Sequence, residues 1–126
     1  MPRIPFVPRR RELRRELERF TAGGALLPLV GTRIRRRAIV VTHPGGGVPL
    51  AEIDCDEVTF FRPGGRSVTR STTEFEVEVE LLGGAETDLR AITRALRARY
   101  RLRPSRASKL ERALAWAGIR IPRRRR

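Results

Sequence analysis

Four residue types that often carry chemistry are nearly absent from this sequence: it has one cysteine, one histidine, one tryptophan and one lysine. With Cys55 alone, no intramolecular disulfide and no cysteine-based metal site can form within it. No apolar run approaches the ~20 residues of a membrane-spanning helix. Met1 to Arg11 is basic but is followed by no apolar core of a signal peptide, so a cytoplasmic protein without a membrane partner is expected. His43 lies in a Pro-Gly turn with no Ser, Cys or His partner at catalytic spacing. Gly45-Gly46-Gly47 lacks the Lys-Ser/Thr ending and following helix of a phosphate-binding P-loop, and reads as hairpin chemistry. Aromatic residues make up only 6%, with no clustered platform of the kind that stacks nucleic-acid bases.

Positive charge is what the sequence has in excess. Its net charge is +14, from 28 basic and 14 acidic residues among 126. Such a balance favours polyanionic partners: polyphosphate, nucleotides or nucleic acid. Of the basic residues 27 are arginine, the usage of a GC-rich genome, so part of the excess reads as codon bias on a solvated surface. The same bias singles out Lys109, since arginine is used wherever it would serve as well. An apolar fraction of 40% with 33% charged residues fits a single globular domain or a piece of one.

Hydrophobic periodicity divides the chain into an α+β pattern. Pro8 and RRRELRRELERF predict a helix over 9–22, with Leu13, Leu17 and Phe20 as its stripe and Gly23-Gly24 as its stop. Antiparallel strands are expected within 29–82: Leu29 to Thr42, Leu50 to Phe61, and TEFEVEVELL at 73–82. Helices follow within 86–118. The first runs from Asp88 to Tyr100, and the second from about Ser105 as its N-cap, with Leu110, Ala113, Leu114 and Ala117 on one face. Trp116 and Tyr100 read as packing groups near helix ends. The basic tail at 122–126 is expected to stay unpacked.

The strand ending at Leu82 carries the sharpest signal. Alternation puts Glu74, Glu76, Glu78 and Glu80 on one face and Phe75, Val77, Val79 and Leu81 on the other. Neighbouring glutamates would lie ~6.8 Å apart. Their repulsion is ~0.6 kcal/mol in water and ~2 kcal/mol at an effective dielectric near 20. A wet polar face tolerates that cost; a bound cation is the alternative. On the preceding hairpin Arg33, Arg35 and Arg37 share one face of a strand, and Glu52, Asp54 and Asp56 share one face of the next. If these faces coincide with the glutamate face, guanidinium forks for phosphate stand beside carboxylates for a hard cation such as Mg²⁺ or Mn²⁺. The other outcome is cross-strand salt bridging on an exposed sheet, worth under ~1 kcal/mol per pair. Cys55 alternates away from Asp54 and Asp56 and reads as a packed thiol.

The order TRIRRRAIVV, LAEIDCDEV, EFEVEVELLGG and SRASKLERAL resembles the C-terminal half of the CYTH domain of the triphosphate tunnel metalloenzymes. The likeness covers about residues 9 to 118. It implies an antiparallel sheet forming half of a triphosphate-tunnel-type barrel, backed by helices. By that resemblance Arg35 and Arg37 contact phosphate, and Lys109 reaches a phosphate from beside the last helix. Glu76, Glu78 and, as a third, Glu80 bind Mg²⁺ or Mn²⁺, while Glu52 and Asp56 line the tunnel. Family substrates include inorganic tripolyphosphate, thiamine triphosphate and ATP. The family's opening strand motif, E-x-E-x-K, has no counterpart: Glu16-Leu17-Glu18 is followed by Arg19-Phe20 inside the predicted helix. The expectation is therefore a triphosphate- and metal-binding domain incomplete for catalysis without an N-terminal half, supplied by a separate chain or offset by self-association. The alternative is a small basic nucleic-acid- or polyphosphate-binding protein without catalysis. It must account for eight of the fourteen acids lying between Glu52 and Glu80.

Overall fold

Three strands of eleven residues each form the framework: β1 (Gly31–Val41), β2 (Ala51–Phe61) and β3 (Ser71–Leu81). The computed structural model describes residues 10–64 and 71–120. Helix α1 (Arg11–Thr21) precedes the strands, and α2 (Glu86–Tyr100) and α3 (Lys109–Trp116) follow them. The sheet is antiparallel, in the order β1-β2-β3, and open. Its outer edges on β1 and β3 pair with no other strand among the described residues. Pro8 and the basic tail at 122–126 lie outside those residues.

Turn chemistry fixes the register. Gly46 and Gly47 adopt φ of 81° and 106°, which glycine reaches without a Cβ clash, and Leu50 N–H closes the hairpin on the Val41 carbonyl at 2.8 Å. Arg36 is thereby opposite Asp56, Ala38 opposite Asp54, and Val40 opposite Glu52. The second pairing sets Asp56 opposite Glu76, Asp54 opposite Glu78, and Glu52 opposite Glu80. Even-numbered residues of all three strands therefore share one face, and odd-numbered residues share the other.

Helix α3 is seated on the even face. Val58, Phe60 and Ala113 are fully buried there, with Val30 and Trp116 packed against them. The Phe60 and Trp116 rings lie 6.3 Å apart in a tilted contact. Leu114 and Ala117 are also buried, whereas Leu110, expected on the same stripe, is 62% exposed. The helix starts three residues later than expected. Ser108, not Ser105, is the N-cap: its hydroxyl accepts from Glu111 N–H while the Glu111 carboxylate accepts from Ser108 N–H. That reciprocal pair outcompetes Ser105, whose hydroxyl donates to the Ala107 carbonyl.

The other helices bind less tightly. α2 starts at Glu86, two residues before the expected Asp88, and lies beside β3. Tyr100 at its end is exposed rather than packed. Helix α1 forms with the expected stripe but buries none of its residues; Phe20 is 83% exposed. No described helix is long and apolar enough to cross a membrane.

Candidate functional site

The even face of the sheet changes character along the strands. Val58 and Phe60 seat α3 at one end, and the next even positions on β2 are Asp56 and Asp54, both nearly fully buried. Two carboxylates at that depth need partners, since stranding one buried charge costs about 3–5 kcal/mol. Arg36 supplies the first. Its Nε and Nη2 donate to the two oxygens of Asp56 at 2.8 and 2.7 Å, a bidentate fork, and its Nη1 lies 2.7 Å from Asp54 Oδ2. Nη2 also reaches Glu78 Oε2 at 3.2 Å. One guanidinium thus ties together three carboxylates from two strands.

Lys109 supplies the second cation. As the first residue of α3, it extends over the sheet so that Nζ lies 2.6 Å from Glu78 Oε1, 3.1 Å from Asp56 Oδ2 and 3.2 Å from Glu76 Oε1. One turn along α3, Arg112 donates to Glu74 Oε2 at 3.0 Å and to Glu76 Oε2. The same guanidinium donates to Ser105 Oγ at 3.2 Å and to the Ala107 carbonyl at 2.6 Å. It therefore holds the α2–α3 loop against β3 and fixes where Lys109 begins. A groove of about 1040 Å³ runs between β3, α2, this loop and α3, with Glu76, Glu78 and Lys109 in its wall.

Titration behaviour follows from these contacts. Hydrogen bonds from Arg36, ahead of the opposing effect of burial and the help of Lys109, hold Asp56 down from 3.8 to about 2. Glu78 is also lowered, first by its bond from Lys109. Burial pulls the Lys109 ammonium down, but Glu78, Asp56 and Glu76 together outweigh it and leave its pKa raised. Arg36 is raised, chiefly by Asp56. All the cations of the network are charged at neutral pH.

Of the residues expected to form a site, Asp56, Glu76, Glu78 and Lys109 come together. Glu52 and Glu80 share the same face and oppose each other across β2 and β3. The expected arginines do not share it. Arg33, Arg35 and Arg37 are odd-numbered and stand on the opposite face, where Arg33 lies over the Phe61 ring at 5.7 Å and Arg35 is 3.7 Å from Glu57. Close approach makes room for that ring: a Cβ on Gly31 would sit 2.2 Å from it. The guanidinium beside the carboxylates is Arg36. A hairpin symmetric about Gly46 places Arg36 and Asp56 equally far from the turn, so the turn sequence held the signal. Arg112, also not anticipated, had no comparable signal, because its reach depends on how α3 is seated.

The donor set suits a hard divalent cation in kind, being made of carboxylates. Among the described residues, however, no group of three or more His, Cys, Asp or Glu side chains is arranged to hold one. The carboxylates are drawn instead onto Arg36, Lys109 and Arg112. One oxygen stands apart: Asp54 Oδ1 is buried and has no hydrogen-bond partner. Comparison with known proteins found no matching family model, no matching curated protein and no matching solved structure.

Proposed function

We propose that this chain is part of a CYTH-type domain that binds a triphosphate together with Mg²⁺ or Mn²⁺. The observation that carries the reading is the convergence, on one sheet face, of Arg36 from β1, Asp54 and Asp56 from β2, Glu76 and Glu78 from β3, and Lys109 from α3. A structural salt bridge needs two partners; this network recruits four elements and buries two acids to do so. In this reading the open sheet is one wall of a tunnel-type barrel, whose further strands would lie against the free edges of β1 and β3. Arg36 and Lys109 grip phosphate oxygens, Arg36 taking the place first expected of Arg35 and Arg37. Glu76 and Glu78, with Glu80 as a third ligand, hold the metal, and Glu52 and Asp56 line the tunnel. The metal would neutralise triphosphate charge and help position water for attack on a terminal phosphorus. Turnover by this chain without an N-terminal half is expected to be negligible.

Calorimetry with tripolyphosphate, with and without Mn²⁺, tests the reading. Binding that tightens with metal and is lost in the Glu76→Gln, Glu78→Gln double variant is the expected outcome. A second reading has an observation of its own: Arg33, Arg35 and Arg37 form an exposed row on the face away from the carboxylates. Such a row suits a nucleic-acid backbone. Salt-sensitive DNA binding that needs no metal, with no tripolyphosphate signal, would replace the first reading by this one.

A further inference from the structure

Charge on this sheet is sorted by strand parity. Of the eight acids between Glu52 and Glu80, seven stand on the even face and only Glu57 on the odd one. The acids that weigh against a nucleic-acid partner are therefore turned away from the arginine row. Arg33, Arg35 and Arg37 follow one another on the odd face at about 6.8 Å, and all three are exposed. Glu57, the one acid beside them, lies 3.7 Å from Arg35. Register sets Arg35, Glu57 and Phe75 in one line across the three strands, so the arginine and the ring stand about 10 Å apart. Phe61 on the same face lies beneath the Arg33 guanidinium, whereas Phe75 is 81% exposed.

Beyond Phe75 the surface becomes concave. The groove between β3 and α2 is lined by strand residues of both parities, so it follows the outer edge of β3, and Phe75 stands in its wall with Arg97 and Arg103. A second hollow of about 690 Å³ joins it at Thr93, Arg97 and Leu102 and adds Arg90 and Arg94. Among the described residues no acid lines that second hollow. Glu74, Glu76 and Glu78 in the first are tied to Arg36, Lys109 and Arg112. Arg94, Arg97 and Arg103 make no salt bridge among the described residues.

We infer that the odd face and the α2 groove together bind a single-stranded nucleic acid, its phosphates on the arginines and an unstacked base on Phe75. The inference deepens the nucleic-acid reading of the arginine row and is independent of the triphosphate reading of the even face. A duplex keeps its bases stacked inside, whereas a single strand can lay one against an exposed ring. Guanidinium groups take the phosphates through paired N–H donors. One ring supplies stacking at one position, so the arginines carry most of the affinity, which falls steeply with salt.

Anisotropy titrations of short labelled oligo(dT) and oligo(U), at several salt concentrations, test the inference. Phe75→Ala is expected to weaken oligonucleotide binding about tenfold without changing its salt dependence, because it removes a stacking contact and no phosphate contact. Phe75→Trp should restore the affinity. Duplex DNA and inorganic polyphosphate offer charge without an unstacked base, so Phe75→Ala should leave their binding as in the wild type. The Arg94→Gln, Arg97→Gln double variant should flatten the slope of log affinity against log salt by about 1.4, the share of two phosphates on a single strand. All three side chains are exposed, so these variants test binding rather than folding. An unaltered oligonucleotide affinity in Phe75→Ala, or an equal loss for polyphosphate, would overturn the inference and leave a surface that reads charge alone. An unchanged slope in the arginine double variant would overturn it as well, since the groove would then hold no phosphate. No binding of either oligonucleotide to the wild type would overturn the inference and the nucleic-acid reading together. Neither result bears on calorimetry with tripolyphosphate and Mn²⁺, by which the even-face reading stands or falls.

Discussion

The two faces of this sheet are built from the same three strands, yet they do different work. On the even face α3 is seated over Val58 and Phe60, and the charged residues beyond it meet at 2.6–3.2 Å. On the odd face the charged residues are spread out: Arg35 stands 3.7 Å from Glu57 with most of its side chain in water, and Phe75 is 81% exposed. Composition does not explain the contrast, since arginines lie on both faces of β1. Depth does. Next to a packed helix, water is excluded and each charge must find a partner; in open solvent it need not. The face that is covered is thus the face on which charge is organised.

Phenylalanine gives the widest expected separation between the faces. Phe60→Ala removes a fully buried ring that anchors α3, and is expected to cost about 3–5 kcal/mol. Phe75→Ala on the odd face is expected to cost about 0.5 kcal/mol or less. Urea denaturation of both variants measures the difference. Equal costs would mean that another segment or chain covers the odd face in solution.

The arginines of β1 offer a finer comparison. Arg36→Ala leaves Asp54 and Asp56 buried without their shared fork and is expected to destabilise by about 3 kcal/mol. Arg35→Ala and Arg37→Ala should change stability by about 0.5 kcal/mol or less. If either costs as much as Arg36→Ala, the register of β1 on β2 is not the one described.

Acid separates the faces by charge alone. Asp56 and Glu78 have folded pKa values below their ordinary ones, as does Glu111 in the α3 capping pair. Groups depressed in this way add stability that is fully present above the unfolded value. It is lost as pH falls through the folded one, here between about pH 4 and pH 2. Denaturation midpoints should therefore fall steeply across that window, and the slope should shrink in Asp56→Asn. An unchanged slope in that variant would assign the acid lability elsewhere.

The comparison of faces also shows what could be read from the sequence. Strand positions and the glutamate ladder follow from alternation, which is a local property. Asp56 and Lys109 are assigned to the site through the resemblance, and their meeting with Glu76 and Glu78 depends on strand register and the seating of α3. The choice between Arg36 and its neighbours depended on register, where a shift of one residue exchanges the faces. Treating the Arg33, Arg35 and Arg37 row as a unit favoured the wrong parity. The seating of α3 was less legible still. Its stripe was read with Leu110 inside, but Leu110 stays exposed in the first turn while Ala113, Leu114 and Trp116 make the contact with the core. Helix α1 (Arg11–Thr21) formed within the expected span, yet nothing in an amphipathic pattern says what the apolar stripe will meet.

The start of α3 gives the smallest expected effect. Two serines precede the helix, and both touch its first turn. Ser108 caps it through Glu111 N–H, while Ser105 accepts from the Arg112 guanidinium and donates to the Ala107 carbonyl. Ser108→Ala removes the hydroxyl half of a capping box and should cost about 1 kcal/mol. Ser105→Ala leaves Arg112 with the Ala107 carbonyl, Glu74 and Glu76, so a cost nearer 0.5 kcal/mol is expected. The two variants also differ in what they do to the charged face. Loss of the cap frays the turn from which Lys109 extends, so Ser108→Ala should weaken the ammonium's protection from exchange, whereas Ser105→Ala should leave it as in the wild type. The ammonium signal of a ¹⁵N-lysine-labelled sample, single because the sequence has one lysine, checks both statements together with urea midpoints. If Ser105→Ala proved the more damaging, the helix would begin where the sequence pattern first placed it, and Lys109 would be inside the helix rather than at its start.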